Sequence, residues 1–452
     1  MLQRMVWPMM CGALLLGVTL VHAQEDYKPA PVVGKLELQD GDSIVFLGDS
    51  ITHQRLYTQY VEDYFYTRFP NMRLKLHNAG VGGARAWDAL ARFDKDVAAY
   101  NPKYVTILLG MNDGSYQPFN QQIWDTYRAD MGTLLDKLEG IGAKPIPMTP
   151  TMFDARAARL FPRKGREGDN VALYNSVLTY YGTYLREVSA EKGYGFVDMW
   201  GPLNNITIEQ RKTDPDFTMI KDAVHPEADG QLVMAVAIVT DLGLPKRVSS
   251  TRVAHINGKW VGNGTGGKIS EIEGTDDGVA FTFHAESLPW VLPAEAARGV
   301  ELTKLGHRLS GETVEVHGLQ PGKYTLTIDG KEVGTYSNEA LERHIELQGN
   351  DKTPQYQQAL EVAMLNKSRN EGPIGKLRGE WGRFQGYART RKSAEENPGS
   401  EQLQEQLKKQ AEGVAGMDER VAAANAEAKV IEDQIFEKNK PQAHRYVLKR
   451  QP

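Results

Sequence analysis

VFLGDSITHQ, residues 45–54, runs from an apolar stretch through Gly48-Asp49-Ser50 into a helix-like segment. Serine caps helices and Gly-Asp-Ser is ordinary turn chemistry, so these three residues alone do not make a nucleophile. What gives the stretch weight is its repetition. Short apolar runs recur at residues 43–49, 73–79, 104–110, 144–150 and 195–200. Helical patterns lie between them at 57–69, 87–100, 121–138 and 171–192. Strands alternating with helices predict a parallel sheet covered on both faces. Sites in such sheets form beyond the carboxyl ends of the strands.

Polar motifs stand at those ends. NAGVGG (78–83) follows the second run, and its glycines let a backbone N–H approach a ligand closely. GMND (110–113) follows the third, so Asn112 can present an amide. DAVHPE (222–227) precedes the last helix of this region. Asp222 and His225 are three apart, so one turn can hold carboxylate against imidazole. A serine hydroxyl needs a base, the base needs an orienting partner, and the tetrahedral intermediate needs oxyanion donors. His53 and His77 flank the motifs and read as packing residues. Asp49 and Asp113 read as partners of the backbone.

With these four motifs in order, the chain resembles the SGNH or GDSL hydrolase family over roughly residues 35–245. The resemblance implies a flavodoxin-like three-layer α/β sandwich and hydrolysis of esters. It implies Ser50 as nucleophile, His225 as general base and then acid, and Asp222 as its orienting partner. The oxyanion hole would be the N–H groups of Ser50 and Gly83 with the Asn112 amide. The pattern is not the G-x-S-x-G elbow, because residue 52 is Thr. By family analogy the leading substrate class is an O-acetylated carbohydrate, with lipid esters second. A non-enzymatic glycan-binding or scaffold module is the rival reading.

The remainder of the chain divides by texture. Residues 1–23 carry Arg4, a short apolar core and a small-residue end at Ala23, the pattern of a secretory signal peptide. That predicts a bacterial protein exported to the periplasm or beyond, with no stable membrane anchor after cleavage. Cys11 is the only cysteine, so the mature chain would hold no disulfide or thiolate. Residues 24–246 form the catalytic region. Residues 247–350 alternate as in a small β-sandwich, with a hairpin signal at Asp329-Gly330. Residues 351–452 read as a C-terminal helical region, opened by a Thr353-Pro354 cap and broken at Gly372–Gly386 and at Asn397-Pro398-Gly399. A thin seam from Val414 to Ile435 predicts a docking helix rather than an oligomerising coil. KPQAHRYVLK (440–449) looks like a closing strand of unreadable pairing. SLPWVLP (287–293) reads as a core or interdomain contact.

Other function classes receive no support. A net charge of -5 and a pI near 6.1 give no basic face for nucleic acid. No clustered ligand pattern implies a metal, and no cofactor is implied. GNGTGGK (262–268) imitates a phosphate loop, but Ile269 stands where Ser or Thr belongs, so it reads as a flexible turn. One basic stretch, 153–167, follows the fourth run. Its Arg156 and Arg159, with Arg163, Lys164 and Arg166, are candidates to contact an anionic substrate.

Overall fold

The computed structural model describes residues 31–162, 168–275 and 277–452. The signal-peptide pattern, Arg163, Lys164 and Arg166 lie outside the described residues. Four strands form the first sheet: β1 (Ser43–Gly48), β2 (Lys75–Gly80), β3 (Tyr104–Leu108) and β4 (Lys144–Pro147). Their order is β2-β1-β3-β4 and every pair is parallel. The fifth predicted strand shrinks to one parallel bridge, Val197 to Met148. The chain leaves the sheet there because Asp198 turns it, its carboxylate accepting from Gly201 N–H and the Thr149 hydroxyl.

The helices of this region are α1 (Ser50–His53), α2 (Leu56–Arg68), α3 (Ala86–Asp96), α4 (Gln121–Gly140), α5 (Ala155–Leu160), α6 (Asp169–Lys192), α7 (Trp200–Gln210) and α8 (Ala228–Asp241). Alternation along β1 separates the two cores. Ile44 and Phe46 pack with Tyr57, Tyr64 and Val233 of α2 and α8. Val45 and Leu47 pack with Phe93, Leu134 and Leu178 of α3, α4 and α6. This is the three-layer sandwich expected from the sequence.

The second region has two sheets around one core. The strands are β5 (Arg247–Ile256), β6 (Lys259–Thr265), β7 (Gly267–Thr275), β8 (Gly278–Ala285), β9 (Gly311–His317), β10 (Lys323–Ile328), β11 (Lys331–Ser337) and β12 (Ile345–Glu346). Between them lie α9 (Ala297–Thr303), α10 (Leu305–Leu309) and α11 (Asn338–Arg343). Asp329 and Gly330 have φ of +51° and +79° and join β10 to β11, as the hairpin signal requires. GNGTGGK is not a free turn. Most of it is strand in β6 and β7, and only Gly266, at φ +70°, turns the chain from one sheet to the other. A Cβ at Gly266 would lie 2.1 Å from Val248 O, so only glycine fits.

The last region is α12 (Pro354–Arg369), α13 (Gly375–Glu396), α14 (Glu401–Val414) and α15 (Met417–Lys438), then β13 (Ala443–Arg450). Thr353 caps α12 through Tyr356 N–H, with Pro354 at the first position. The expected break at Gly372–Gly386 is absent. A π-turn over Asn370–Ile374 takes up Pro373, and α13 continues through its glycines. The break at Asn397-Pro398-Gly399 does occur. Met417, Ala424, Ala428 and Ile435 of α15 are buried against the other helices and the α/β region, which is the docking role. β13 lies between β10 and β8, in the middle of its sheet. The four helices are therefore an excursion between two parts of the β-sandwich.

This excursion packs on the α/β region through buried polar groups. Arg369 and Asn370 donate to Glu62 at 3.2 and 2.7 Å. Asn366 donates to Asp63 at 2.8 Å. Arg378 and Arg92, both fully buried, converge on Asp96. Trp290 of the SLPWVLP stretch donates to Tyr60 O at 2.9 Å and meets Tyr64 edge-on, an interdomain contact.

Candidate active site

Ser50 opens α1, immediately after β1. Asp49 caps that helix, its Oδ1 accepting from Ile51 N–H at 2.9 Å. The first helical N–H groups have no carbonyl one turn back, so the Ser50 N–H is not consumed by the helix. Burial pushes the Asp49 carboxyl up to about 7. At Gly80 a Cβ would lie 2.4 Å from His53 N, so the end of β2 must be bare to pack against this turn.

Asp222 and His225 lie in the loop before α8. Ala223 takes φ +71°, a conformation that costs an L-residue about 1–2 kcal/mol. The turn it allows is fixed by Asp222 Oδ1, which accepts from Val224 and His225 N–H at 3.0 and 2.7 Å. Asp222 Oδ2 then accepts from His225 Nδ1 at 2.6 Å. On the far side of the ring, Ser50 Oγ donates to His225 Nε2 at 2.8 Å. Burial alone would raise the Asp222 carboxyl. The bonds from the His225 ring and the two amides outweigh it and hold the group below the usual carboxylate range. An ionised carboxylate there keeps the proton on Nδ1 and leaves Nε2 to accept from serine.

Gly83 and Asn112 come from the loops after β2 and β3. Gly83 has φ +68°, and a Cβ there would meet nothing within 4 Å, so its conformation rather than crowding asks for glycine. Asn112 Oδ1 accepts from the Tyr116 hydroxyl at 3.0 Å, which fixes the amide's sense. One Nδ2 proton goes to Ala84 O at 3.1 Å. Asp113 anchors both loops, accepting from Ala86 and Gly110 N–H at 2.9 and 3.0 Å. Its carboxyl is pushed up to about 6 by burial. His77 is buried, bonded to Asp96 and stacked on Tyr100. His53 reaches Gly80 O through Nδ1 at 3.3 Å.

A cleft of about 730 Å³ opens at Gly83 and Asn112. Arg85, Trp87, Thr126, Asp130 and Tyr116 line one side, and Arg389 and Lys392 of α13 line the other. Lys392 sits over the Trp87 ring, 4.4 Å from its centroid. Arg156 and Arg159 are exposed on α5 and do not line this cleft; Arg156 donates to Pro215 O. Hydrogen bonds thus join Ser50, Asp222 and His225, and Gly83 and Asn112 line the adjoining cleft, from whose lining the two arginines are absent. Tyr116 and the α13 residues were not legible in sequence. They belong to no motif, and α13 lies about 300 residues beyond the loop it touches. Among the described residues, no group of three or more His, Cys, Asp or Glu is placed to hold a metal. No helix among them is long and apolar enough to cross a membrane.

Residues 46–233 match the GDSL-like lipase/acylhydrolase family. The chain is 25% identical over 229 residues to an acetylxylan esterase of Geobacillus stearothermophilus, spanning 46% of this chain and 97% of that one. It is also similar to the solved structure of a gut microbial diltiazem-metabolizing enzyme. That similarity has a TM-score of 0.78 at 27% identity, over 93% of this chain and all of that one.

Proposed function

We propose, proceeding from the premise that this chain is an SGNH/GDSL hydrolase acting on ester bonds, that it is an exported carbohydrate O-acetylesterase. The observation that carries the chemistry is the unbroken line of hydrogen bonds from Asp222 through His225 to Ser50, 2.6 and 2.8 Å long. Ser50 Oγ attacks the ester carbonyl as His225 Nε2 takes its proton. Asp222 stabilises the imidazolium. The oxyanion accepts from Ser50 N–H, Gly83 N–H and the Asn112 amide, each worth roughly 3 kcal/mol in the transition state. Collapse of the intermediate returns the proton to the leaving alcohol. Water then repeats the attack on the acyl-serine and frees the acid.

The sugar assignment rests on the cleft and on the acetylxylan esterase relative. A volume of about 730 Å³ far exceeds an acetyl group, so it suits the alcohol portion. Its lining mixes charged groups of both signs with Trp87. A long acyl chain would desolvate those charges without pairing them. Hydroxyl groups of a sugar can bond both signs. Export rests on the sequence pattern of residues 1–23 alone.

The test is a panel of acetylated xylo-oligosaccharides, 4-nitrophenyl acetate, a long-chain aryl ester and diltiazem, each run with Ser50→Ala as blank. Acetate release from the oligosaccharides, abolished in folded Ser50→Ala, is the expected result. A preference for the long-chain ester by kcat/KM would overturn the carbohydrate assignment. Undiminished turnover by Ser50→Ala would overturn the nucleophile.

A further inference from the structure

We infer that Gln385, supported by Arg389, is a positioning residue for the oxyanion hole, so that α13 sets where the Gly83 N–H points. The inference rests on the reading of Gly83 as an oxyanion donor. Residues 81–84 form a β-turn closed by Ala84 N–H to Val81 O at 3.1 Å. Its central residues are Gly82 and Gly83, the latter at φ +68°. A positive φ at the third position without one at Gly82 makes this a type II turn, whereas type I has a negative φ at the third position. The two types differ by a flip of the central peptide, here the one joining Gly82 to Gly83. Two glycines leave both orientations open. The Gly82 C=O and the Gly83 N–H belong to that same planar trans unit and point in opposite directions. Whatever holds the carbonyl therefore aims the N–H.

Gln385 holds it. The side chain is 5% exposed, and its Nε2 donates to Gly82 O at 2.9 Å. One turn later Arg389 fixes the next peptide, donating from Nη2 to Gly83 O at 2.6 Å. The same guanidinium pairs with Asp88, at 2.7 Å from Nε and from Nη2. Asp88 in turn accepts from Arg85 N–H at 2.8 Å, closing the loop's far end. Among the described residues, the side-chain bond that the α/β region supplies to this stretch of carbonyls, residues 82–84, is that of Asn112 to Ala84 O. In a flipped turn, Gly83 would present a neighbouring carbonyl to the developing oxyanion, which repels it.

The experiment compares the full chain carrying Gln385→Met, Asn112→Ala or Arg391→Ala with the parent, on 4-nitrophenyl acetate. Arg391 lies on α13 in an exposed pair with Glu395 and serves as the control. For Gln385→Met we expect kcat to fall about tenfold with KM within twofold. Inhibition by an alkylboronic acid, which adds to serine as a tetrahedral anion, should weaken by the same factor. A packing role alone would not move these two together. A second variant guards against loss of fold: in Gln385→Glu the carboxylic acid can donate to Gly82 O but the carboxylate cannot. Its activity relative to the parent should therefore rise as pH falls. If Asn112→Ala leaves kcat and boronate affinity intact, the oxyanion assignment itself fails. If Asn112→Ala lowers both and the Gln385 variants lower neither, or raise KM alone, only the positioning role fails.

Discussion

Glu312 is a place, far from the candidate active site, where stability should depend on pH. It lies on β9, 4% exposed, where the sandwich, α12 and β13 meet. Its Oε1 accepts from Gln355 Nε2 at 2.8 Å, and that amide nitrogen also reaches the Tyr446 hydroxyl at 3.2 Å. Oε2 is buried with no partner among the described residues. Burial pushes this carboxyl from 4.5 up to about 7, against the pull of Gln355 and Arg68. A raised carboxyl favours the protonated form in the fold. Its contribution is fully present below pH 4.5, falls as the unfolded chain ionises first, and is gone once pH passes about 7. At about 1.4 kcal/mol per pH unit, the loss across that window is on the order of 3 kcal/mol. Glu312→Gln stays neutral throughout and removes the dependence. An unfolding entropy of about 2.1 cal/mol/K per residue, over a chain of 452 residues, converts this to a melting shift of roughly 3–4 °C. Thermal unfolding of both proteins by circular dichroism at pH 4.5, 6, 7 and 8 cancels the other titrating groups. The variant should gain on the parent as pH rises, then level off above 7. A difference that stays constant across the series, or shrinks, would refute a neutral Glu312.

Two further outcomes follow from single contacts. Tyr116→Phe removes the bond that fixes the sense of the Asn112 amide, so kcat on 4-nitrophenyl acetate should fall about two- to twelvefold, the worth of roughly 0.5–1.5 kcal/mol, with KM little changed. An unchanged kcat would mean that the Nδ2 bonds to Ala84 O and Asp49 Oδ2 suffice to orient Asn112. Arg378→Met removes two bonds to Asp96, at 2.6 and 2.9 Å, from a fully buried group. Denaturant titration should show a loss of about 3–5 kcal/mol. His77, held down to about 4 by burial and partly by the Arg378 charge, should titrate at higher pH in that variant, as read by NMR of its ring.

What could be read from sequence is what local physics writes locally. The apolar run 43–48 and the helix pattern 56–68 are set by side-chain period, so the parallel sheet was legible. Ser50, Gly83 and Asn112 sit at strand ends and Asp222 and His225 in the loop before α8, where period breaks and motif begins. The glycine-rich stretch 372–386 misleads because propensity is a weak prior: Leu377, Arg378, Trp381 and Gln385 are buried against the α/β region, and that packing holds α13 helical. GNGTGGK misleads for the converse reason, since its conformation is imposed by neighbouring strands. The partner of residues 440–449 was unreadable because strand pairing is non-local; β13 slots between strands that begin 165 and 120 residues earlier. The Gln385 contact is equally silent, because a glutamine on a helix carries no mark of the carbonyl it will meet.

The order of the chain explains how so distant a contact can persist. The bond from Gln385 to Gly82 joins residues 303 apart, and one neutral hydrogen bond of about 1 kcal/mol cannot by itself close such a span. The helix is held by other means. At one end α12 is capped by Thr353 and tied to β9 through Gln355. At the other, β13 bonds on both edges within its sheet, so α15 cannot leave without opening the sandwich. Between them, Asn366, Arg369 and Arg378 bury their polar heads against Asp63, Glu62 and Asp96, buried carboxyl groups that would otherwise lack these partners. Once those anchors have set α13, the Gln385 bond needs only to choose between two orientations of one glycine peptide. A small energy suffices for that choice. The sandwich and the helices thus act on ester chemistry without contributing a reacting atom, by fixing the direction of a single N–H.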